Sequence, residues 1–398
     1  MKKFLLSTAA ASLLAGAAFA ASHAQEAKIG VILGFTGPIE SLTPDMAAAA
    51  ELALKEVNDS GKFLDGVTLA PVRADSTCVD AAAATAAAER LITAEGVSAI
   101  MGADCSGVTG AVLANVAVPN GVTMISPSAT SPGLTAAEDN GLFFRTSPSD
   151  ARQGQVLADV MGSRGVTAVA VTYTNNDYGK GLSDAFIAAF EAAGGKVTIN
   201  APHEDGKADY SAEIGALASA GGDVLVVLGY SDQGGKGIIQ ASLDTGAFET
   251  FALGDGMYSD ALLADLGADM EGSFGTVPWS EGEGTEAFGA VAAAGGVNGD
   301  GPYTRESYDA AALLAMAMMK AGTTDAAGIA ANVLDVANAP GEPILPGELG
   351  KAMEIIAAGG DVDYVGATNV ELIGPGEAAG TYREYTITGG AFETVEFR

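Results

Sequence analysis

The sequence predicts an α/β protein of two lobes, each built on a mostly parallel β-sheet with helices on both faces. Short runs of β-branched residues alternate with amphipathic or alanine-rich segments of about 10 to 15 residues, and that alternation is typical of parallel sheets. The pattern runs to Ile125 and begins again after Pro148, which indicates a second unit of similar size. A chain of 398 residues is long enough for two domains with separate cores.

Each predicted element follows from its local pattern. In the first lobe we predict strands at 28–33, 67–72, 97–102 and 122–125, with helices at 46–58, 80–94 and 110–118. In the second lobe we predict strands at 166–173, 196–199, 223–228 and 251–254, with helices at 153–161, 181–193, 210–220 and 235–244. Asp80 is a predicted helix N-cap, and Gly96 follows that helix. The last third predicts a helix at 308–320 and a hairpin that turns at Gly389 and Gly390.

The N-terminus has the pattern of a secretory signal peptide. Lys2 and Lys3 precede an apolar run that ends in the small-residue triplet 18–20, so cleavage after Ala20 is expected, with Ala24 as a later alternative. No cysteine lies near either position, and we therefore expect no lipid anchor. An exported, soluble protein is the prediction.

Charge and cysteine content narrow the class of protein. The chain has 50 acidic and 19 basic residues, a net charge of −31, which repels nucleic acids and anionic lipids. In an oxidising compartment the two cysteines, Cys78 and Cys105, are expected to form one disulfide, the alternative being two free thiols. Two cysteines and two histidines are too few for a convincing structural zinc site, and we predict no metal and no cofactor.

Polar residues follow two strands of the first lobe, where ligands collect in open parallel sheets. Ser106 lies after the strand at 97–102, where its hydroxyl and the amides of a helix start suit a carboxylate. The other interpretation is that Ser106 only caps that helix. Ser128 and Thr130 follow the strand at 122–125 in a proline-containing loop whose hydroxyls are donors, and a plain turn is the alternative.

The second lobe has matching candidates. Tyr178 follows the strand at 166–173 and has a ring and a hydroxyl to offer a ligand. Tyr230 and Ser231 follow the strand at 223–228. Asp255 lies between two glycines and is a candidate partner for an ammonium group, or simply a turn residue.

Enzyme motifs are absent from the sequence. There is no G-x-S-x-G elbow, no P-loop, no H-E-x-x-H and no dinucleotide fingerprint. His203 is the one histidine certain to survive signal removal. We therefore predict that the protein is not an enzyme. A secreted hydrolase remains the alternative from another class.

Together these segments resemble the Leu/Ile/Val-binding-protein family of periplasmic binding proteins, which have the type I fold. The segments are DSTC at 75–78, GADCS at 102–106, MISPSAT at 124–130, FRT at 144–146, NDYGKG at 176–181 and GPY at 301–303. They occur in the family's order and cover nearly the whole mature chain. The resemblance implies two lobes joined by three crossovers, with lobe one at 27–147 plus 279–377 and lobe two at 148–278 plus 378–398.

The resemblance also implies site roles. Ser106 and Thr130 would bind a ligand carboxylate through their hydroxyls, together with the backbone around Ser128. Tyr178 and either Tyr230 or Ser231 would line lobe two, and Asp255 would meet the ligand's amino group.

The first loop departs from the family. At residues 37–44 the family offers an aromatic side chain to the ligand, and here Glu40, Ser41 or Leu42 takes that place. We expect Leu42 to line the site. Glu40 either meets a polar or cationic ligand group or faces solvent.

The function implied by the resemblance is the monomeric periplasmic binding component of an ABC importer. It would bind a small amino acid or analogue and deliver it to permease subunits in the inner membrane. The alternatives are a binding protein for another small carboxylate, amide or quaternary amine, and a ligand-sensing subunit for a membrane receptor.

Overall fold

A computed structural model describes residues 25–326 and 328–398. The predicted signal peptide at 1–20, with its alternative end at 24, lies outside the described residues. The strands are β1 Glu26–Leu33, β2 Thr68–Asp75, β3 Ala99–Gly102, β4 Met124–Ser126, β5 Phe143–Arg145, β6 Ala168–Thr174, β7 Lys196–His203, β8 Val224–Leu228, β9 Phe251–Leu253, β10 Phe274–Pro278, β11 Glu342–Ile344, β12 Val362–Tyr364, β13 Leu372–Ile373, β14 Glu377–Ala378, β15 Tyr382–Thr388 and β16 Ala391–Phe397.

Helices cover the faces of these strands. They are α1 Thr43–Ser60, α2 Ala81–Arg90, α3 Ser106–Val112, α4 Val118–Asn120, α5 Pro132–Thr135, α6 Asp150–Ser163, α7 Asp177–Ala192, α8 Ser211–Ala220, α9 Gly234–Thr245, α10 Asp260–Leu266, α11 Glu283–Gly295, α12 Thr304–Ala321, α13 Ala330–Ala337 and α14 Leu349–Ala357. Single π-helical turns extend α2 to Glu95 and connect α3 to α4.

Fourteen of the strands form two seven-stranded sheets, one in each lobe, and β11 pairs with β12 in a separate two-stranded sheet. The order in lobe one is β13-β14-β5-β4-β3-β1-β2, and the order in lobe two is β16-β15-β10-β9-β8-β6-β7. Pairing is parallel except at β13–β14, β10–β15 and β15–β16. The chain passes between the lobes three times, after β5, after β10 and after β14. The predicted fold class, with two mostly parallel sheets and three crossovers, is confirmed.

Lobe one is held together by packing between helices that are far apart in the sequence, α1 and α12. Every residue of α12 from Thr304 to Met319 is buried, and the helix packs along α1. Met316, Met318 and Met319 of this helix are buried. In the described part of the chain, no helix is both long and apolar enough to cross a membrane.

Two helices begin earlier than predicted, one where glycines lie in its first turns and one that follows a residue with positive φ. Asp80 caps α2 as predicted, since its carboxylate accepts from the amides of Ala82 and Ala83 at 3.0 Å. The predicted helix at 110–118 instead starts at Ser106, because Gly107 and Gly110 weaken the helical signal in the sequence but are tolerated in the packed lobe. Likewise α12 starts at Thr304, directly after Tyr303 with φ of 60°.

Candidate functional site

A small cavity of about 20 Å³ lies between the carboxyl ends of the two sheets. It is lined by Ile39, Leu42, Met46, Asp104, Cys105, Ser106, Ser128, Tyr178, Tyr230, Asp255, Gly256 and Tyr303. Six of the eight predicted ligand-binding residues are in this lining, namely Leu42, Ser106, Ser128, Tyr178, Tyr230 and Asp255. Thr130 and Ser231 are buried but are not among the lining residues.

Ser106 presents a hydroxyl to the cavity at the start of α3. The N-cap position of this helix belongs to Cys105, and no side chain caps it. The Ser106 hydroxyl accepts from the Ser131 amide at 3.0 Å, which leaves its proton free to donate. The interpretation of Ser106 as a mere cap therefore does not fit the geometry. The free amides of the first helical turn add further donors for an anion.

The predicted disulfide forms next to the carboxyl end of β3. Cys78, in the loop after β2, is bonded to Cys105. Asp104 lies beside it, and its buried carboxylate accepts from the Gly34 amide at 2.6 Å and the Ser76 hydroxyl at 2.8 Å. Burial raises the pKa of Asp104, while these hydrogen bonds act in the opposite direction. The contacts bind the ends of β1, β2 and β3 together beneath the cavity.

The loop after β4 is held by a buried cation. Arg145 donates from Nη1 to the carbonyls of Ala129 at 3.0 Å and Ser131 at 2.9 Å, the two residues that flank Thr130. The Ser128 hydroxyl donates to the Asp104 carbonyl at 3.1 Å, so Ser128 faces the cavity with its side chain already engaged. Arg145 thus holds the loop that carries Ser128 and Thr130, the residues predicted to bind a ligand carboxylate.

Lobe two contributes an acid that two tyrosines hold in place. The Tyr178 hydroxyl donates to Asp255 Oδ1 at 2.8 Å, and the Tyr303 hydroxyl donates to Asp255 Oδ2. The Gly256 amide donates in turn to the Tyr178 oxygen at 3.1 Å. Burial raises the pKa of Asp255, and the hydrogen bonds from the two tyrosines act against that rise.

Tyr230, rather than Ser231, faces the cavity. The rings of Tyr178 and Tyr230 are stacked with centroids 5.2 Å apart. The Ser231 hydroxyl instead donates to the neighbouring Asp232 at 3.3 Å. Of the two residues that the sequence left as alternatives, Tyr230 is therefore the one in the lining.

The first loop turns apolar side chains toward the cavity. Leu42 lines it, together with Ile39 and with Met46 from α1. The exposed Glu40 carboxylate accepts from the Gly37 amide at 3.3 Å, which turns it away from the lining. The aromatic residue of the family is thus replaced by an aliphatic wall.

Comparison with known proteins identifies the family. The model of the periplasmic binding protein family matches residues 26–350. This chain belongs to that family. It is 31% identical to Leu/Ile/Val-binding protein homolog 3 of Brucella melitensis over 83% of this chain and 88% of the relative. It is 29% identical to the leucine-, isoleucine-, valine-, threonine- and alanine-binding protein of Pseudomonas aeruginosa, over 79% of this chain and 84% of the relative.

Solved structures show the same fold. A leucine-binding protein from Thermotoga maritima has a TM-score of 0.76 at 24% identity and covers 93% of this binding protein and 98% of its own chain. A solute-binding protein from R. palustris, in complex with 4-hydroxybenzoate, has a TM-score of 0.74 at 20% identity, with 94% and 97% coverage.

Six lining residues of this binding protein were not predicted to bind a ligand, namely Ile39, Met46, Asp104, Cys105, Gly256 and Tyr303, and Asp150, which lies outside the lining, was not predicted either. Tyr303 is brought to the cavity by the turn before α12, and its signal was the GPY motif at 301–303. Met46 was assigned only to a helix. Asp150 follows the crossover after β5, is fully buried, and interacts with the charge of Asp255. No sequence pattern around Asp150 indicated a role in the site.

No histidine or lysine in the cavity lining is available to act as a base beside a nucleophile. His203 is buried outside it, with Nδ1 2.9 Å from the Thr172 hydroxyl. Burial lowers the pKa of His203 to about 4, so the imidazole is neutral near pH 7. The lining contains the acids Asp104 and Asp255 and no Lys, Arg or His.

Proposed function

We propose that this chain is the periplasmic substrate-binding component of an ABC importer and that it captures an α-amino acid with an aliphatic side chain. One observation carries the proposal. Asp255, held by Tyr178 and Tyr303, lies in the same buried cavity as the Ser106 hydroxyl at the start of α3. An acid suits the ammonium group, and neutral donors with a helix N-terminus suit the carboxylate.

The side chain of the ligand would meet an apolar wall. Ile39, Leu42 and Met46 line the cavity, and at most 7% of each is exposed to solvent. Such a wall favours an alkyl group over a charged one, because a second charge there would lose its water without gaining a partner. The names of the Brucella melitensis and Pseudomonas aeruginosa relatives support this assignment, because both specify leucine, isoleucine and valine, to which the Pseudomonas aeruginosa name adds threonine and alanine.

A carboxylic acid without an amino group fits less well. The fold is shared with a protein that holds 4-hydroxybenzoate. In the present cavity, such a ligand would leave Asp255 buried beside an anion with no cation in the lining. An uncompensated buried charge is strongly unfavourable, so an amino-bearing ligand is the better match.

Delivery to permease subunits would follow closure of the lobes. Ligand groups that contact both lobes stabilise the closed form, which is the form that a membrane partner distinguishes from the open one. The family membership and the predicted signal peptide support a periplasmic, monomeric protein of this kind. A sensing role is the second candidate, because a Halobacterium salinarum protein, 28% identical over 94% of this chain, is named a chemotactic signal transduction system substrate-binding protein.

Calorimetry on the refolded, ligand-free mature protein tests the ligand assignment. L-leucine is compared with 4-methylpentanoate, which lacks the amino group, and with 3-methylbutylamine, which lacks the carboxylate. We expect measurable binding of L-leucine alone, and a loss of well over tenfold in Asp255→Asn, because the ammonium would lose its charged partner. Asp260→Asn, an exposed change in the same lobe, is the matched control. Binding of the acid but of no amino acid would contradict the proposal.

The transport and sensing roles are separated by a different experiment. Deletion of the gene should abolish uptake of labelled L-leucine if the importer role holds. Loss of taxis toward leucine with unchanged uptake would favour the sensing role.

A further inference from the structure

The carboxyl group of Asp150 is buried, and no described group donates a hydrogen bond to it. Asp150 is the first residue of α6, and none of its surface is exposed. The helix start is capped by Ser149 instead, whose hydroxyl accepts from the Ala151 amide at 3.3 Å. Neither carboxyl oxygen of Asp150 has a hydrogen-bond partner among the described residues. An ionised carboxylate in that position would be costly, so its charge must be removed or compensated.

Among the described residues, Arg145 is the cation that acts on the charge of Asp150. The charged and titratable groups around it come from five elements: Arg145 of β5, Tyr178 of α7, Asp255 after β9, Tyr303 before α12 and Tyr382 of β15. Arg145 is already engaged, because its guanidinium binds two carbonyls and pairs with Glu377. The other groups are neutral tyrosines and a second acid.

The negative charge of Asp255 therefore disfavours ionisation of Asp150. Burial raises the pKa of Asp150 well above its ordinary value, and the charge of Asp255 raises it further, while the Thr130 hydroxyl and Arg145 act more weakly in the opposite direction. Two carboxylates that share a buried site do not both ionise readily. Asp255 receives two tyrosine hydrogen bonds, whereas the Thr130 hydroxyl near Asp150 makes no hydrogen bond in the structure, so the ionised form is better supported on Asp255.

We propose that Asp150 and Asp255 hold one proton between them in the empty cleft, mainly on Asp150, and that a ligand ammonium displaces it. The inference rests on the proposed function of this site and adds Asp150 as a specificity-determining residue. The balance is simple: the Asp150 O–H bond breaks, the proton passes to solvent, and the bound ammonium supplies the positive charge that the pair loses. A ligand without an amine leaves the proton in place.

Two consequences distinguish this arrangement from a permanently ionised acid. First, binding of an amine releases about one proton near neutral pH. Second, the affinity for the amine falls about tenfold for each unit by which the pH is lowered, once the pair in the empty cleft is protonated. Discrimination against amine-free analogues consequently decreases in acid.

Infrared difference spectroscopy tests the empty state without any ligand. The spectrum of the refolded protein near pH 7, minus that of Asp150→Asn, should show the carbonyl stretch of a protonated carboxyl that the variant lacks. Glu306→Gln is the control, because Glu306 is another buried acid and its removal should leave the Asp150 band in place. Absence of an Asp150-dependent band would overturn the proposal.

Calorimetry tests the displacement. Titration of L-leucine in buffers of different ionisation enthalpy measures the protons released on binding. We expect about one for the native chain and Glu306→Gln, and none for Asp150→Asn, which keeps Asp255 and still binds. Leucine binding with no proton release would overturn this inference and leave the proposed function intact. If no amino acid bound at all, the proposed function would fail, and the ammonium displacement with it.

Discussion

Ser41 in the first loop of lobe one hydrogen-bonds to Asp232 in lobe two. The Asp232 carboxylate accepts from the Ser41 amide and from the Ser41 hydroxyl, each at 2.8 Å. In return, the Asp232 amide donates to the Pro38 carbonyl at 3.0 Å. These three bonds lie outside the ligand cavity but form only when the two lobes are close together.

Removal of this interlobe contact should weaken all ligands alike. Asp232→Ala would lower the population of the closed form, and apparent affinity falls in proportion to that population. We expect a loss of roughly three- to tenfold, from exposed hydrogen bonds of about 1 kcal/mol. Calorimetry with L-leucine and L-valine measures it. The ratio of the two affinities should not change, and a changed ratio would mean that Asp232 acts on the ligand directly.

Arg145 should be essential for stability and for the carboxylate end of the site. Arg145→Met leaves Glu377 and two loop carbonyls without their partner, and breaking a buried ion pair costs about 3–5 kcal/mol. Urea unfolding measures the loss. Arg73→Met is the control, because it removes a solvent-exposed pair with Glu51 and should cost less than about 1 kcal/mol. Equal effects of the two changes would contradict the assigned role of Arg145.

Glu306 should make stability depend on pH. It lies in a small cavity bordered by all three crossovers, and burial raises its pKa to about 7. The folded protein then binds a proton that the unfolded chain has lost, so this contribution to stability is present below about pH 4.5 and is lost as pH rises toward 7.

Substitution of Glu306 by glutamine should remove that dependence. We expect Glu306→Gln to match the native chain near pH 4 and to exceed its free energy of unfolding near pH 8 by up to about 3 kcal/mol. Urea titrations at both pH values measure the difference. Glu89→Gln, an exposed change, should show none. A variant less stable than the native chain near pH 8 would contradict the argument.

The disulfide should contribute substantially to stability. Cys78 and Cys105 are 27 residues apart in sequence, and closing a loop of that size stabilises by roughly 3 kcal/mol in the chain-entropy model. The double change Cys78→Ser and Cys105→Ser should lower the melting temperature by several degrees. It should also weaken leucine binding, since Cys105 lines the cavity. An unchanged melting temperature would show that the local hydrogen bonds of Asp104 suffice.

The sequence by itself determined the alternation of strands and helices, the Asp80 cap, the disulfide pair and the loops that carry Ser106, Ser128, Tyr178 and Asp255. Those features are local, because periodicity, cap chemistry and the ends of strands are properties of neighbouring residues. Only the tertiary structure decided that Tyr303 reaches Asp255, 48 residues away in sequence, and that Ser41 reaches Asp232 across 191 residues. It also turned Glu40 away from the cavity and placed Asp150 beside Asp255. Such contacts depend on how two sheets and three crossovers pack, and no short stretch of sequence contains that information.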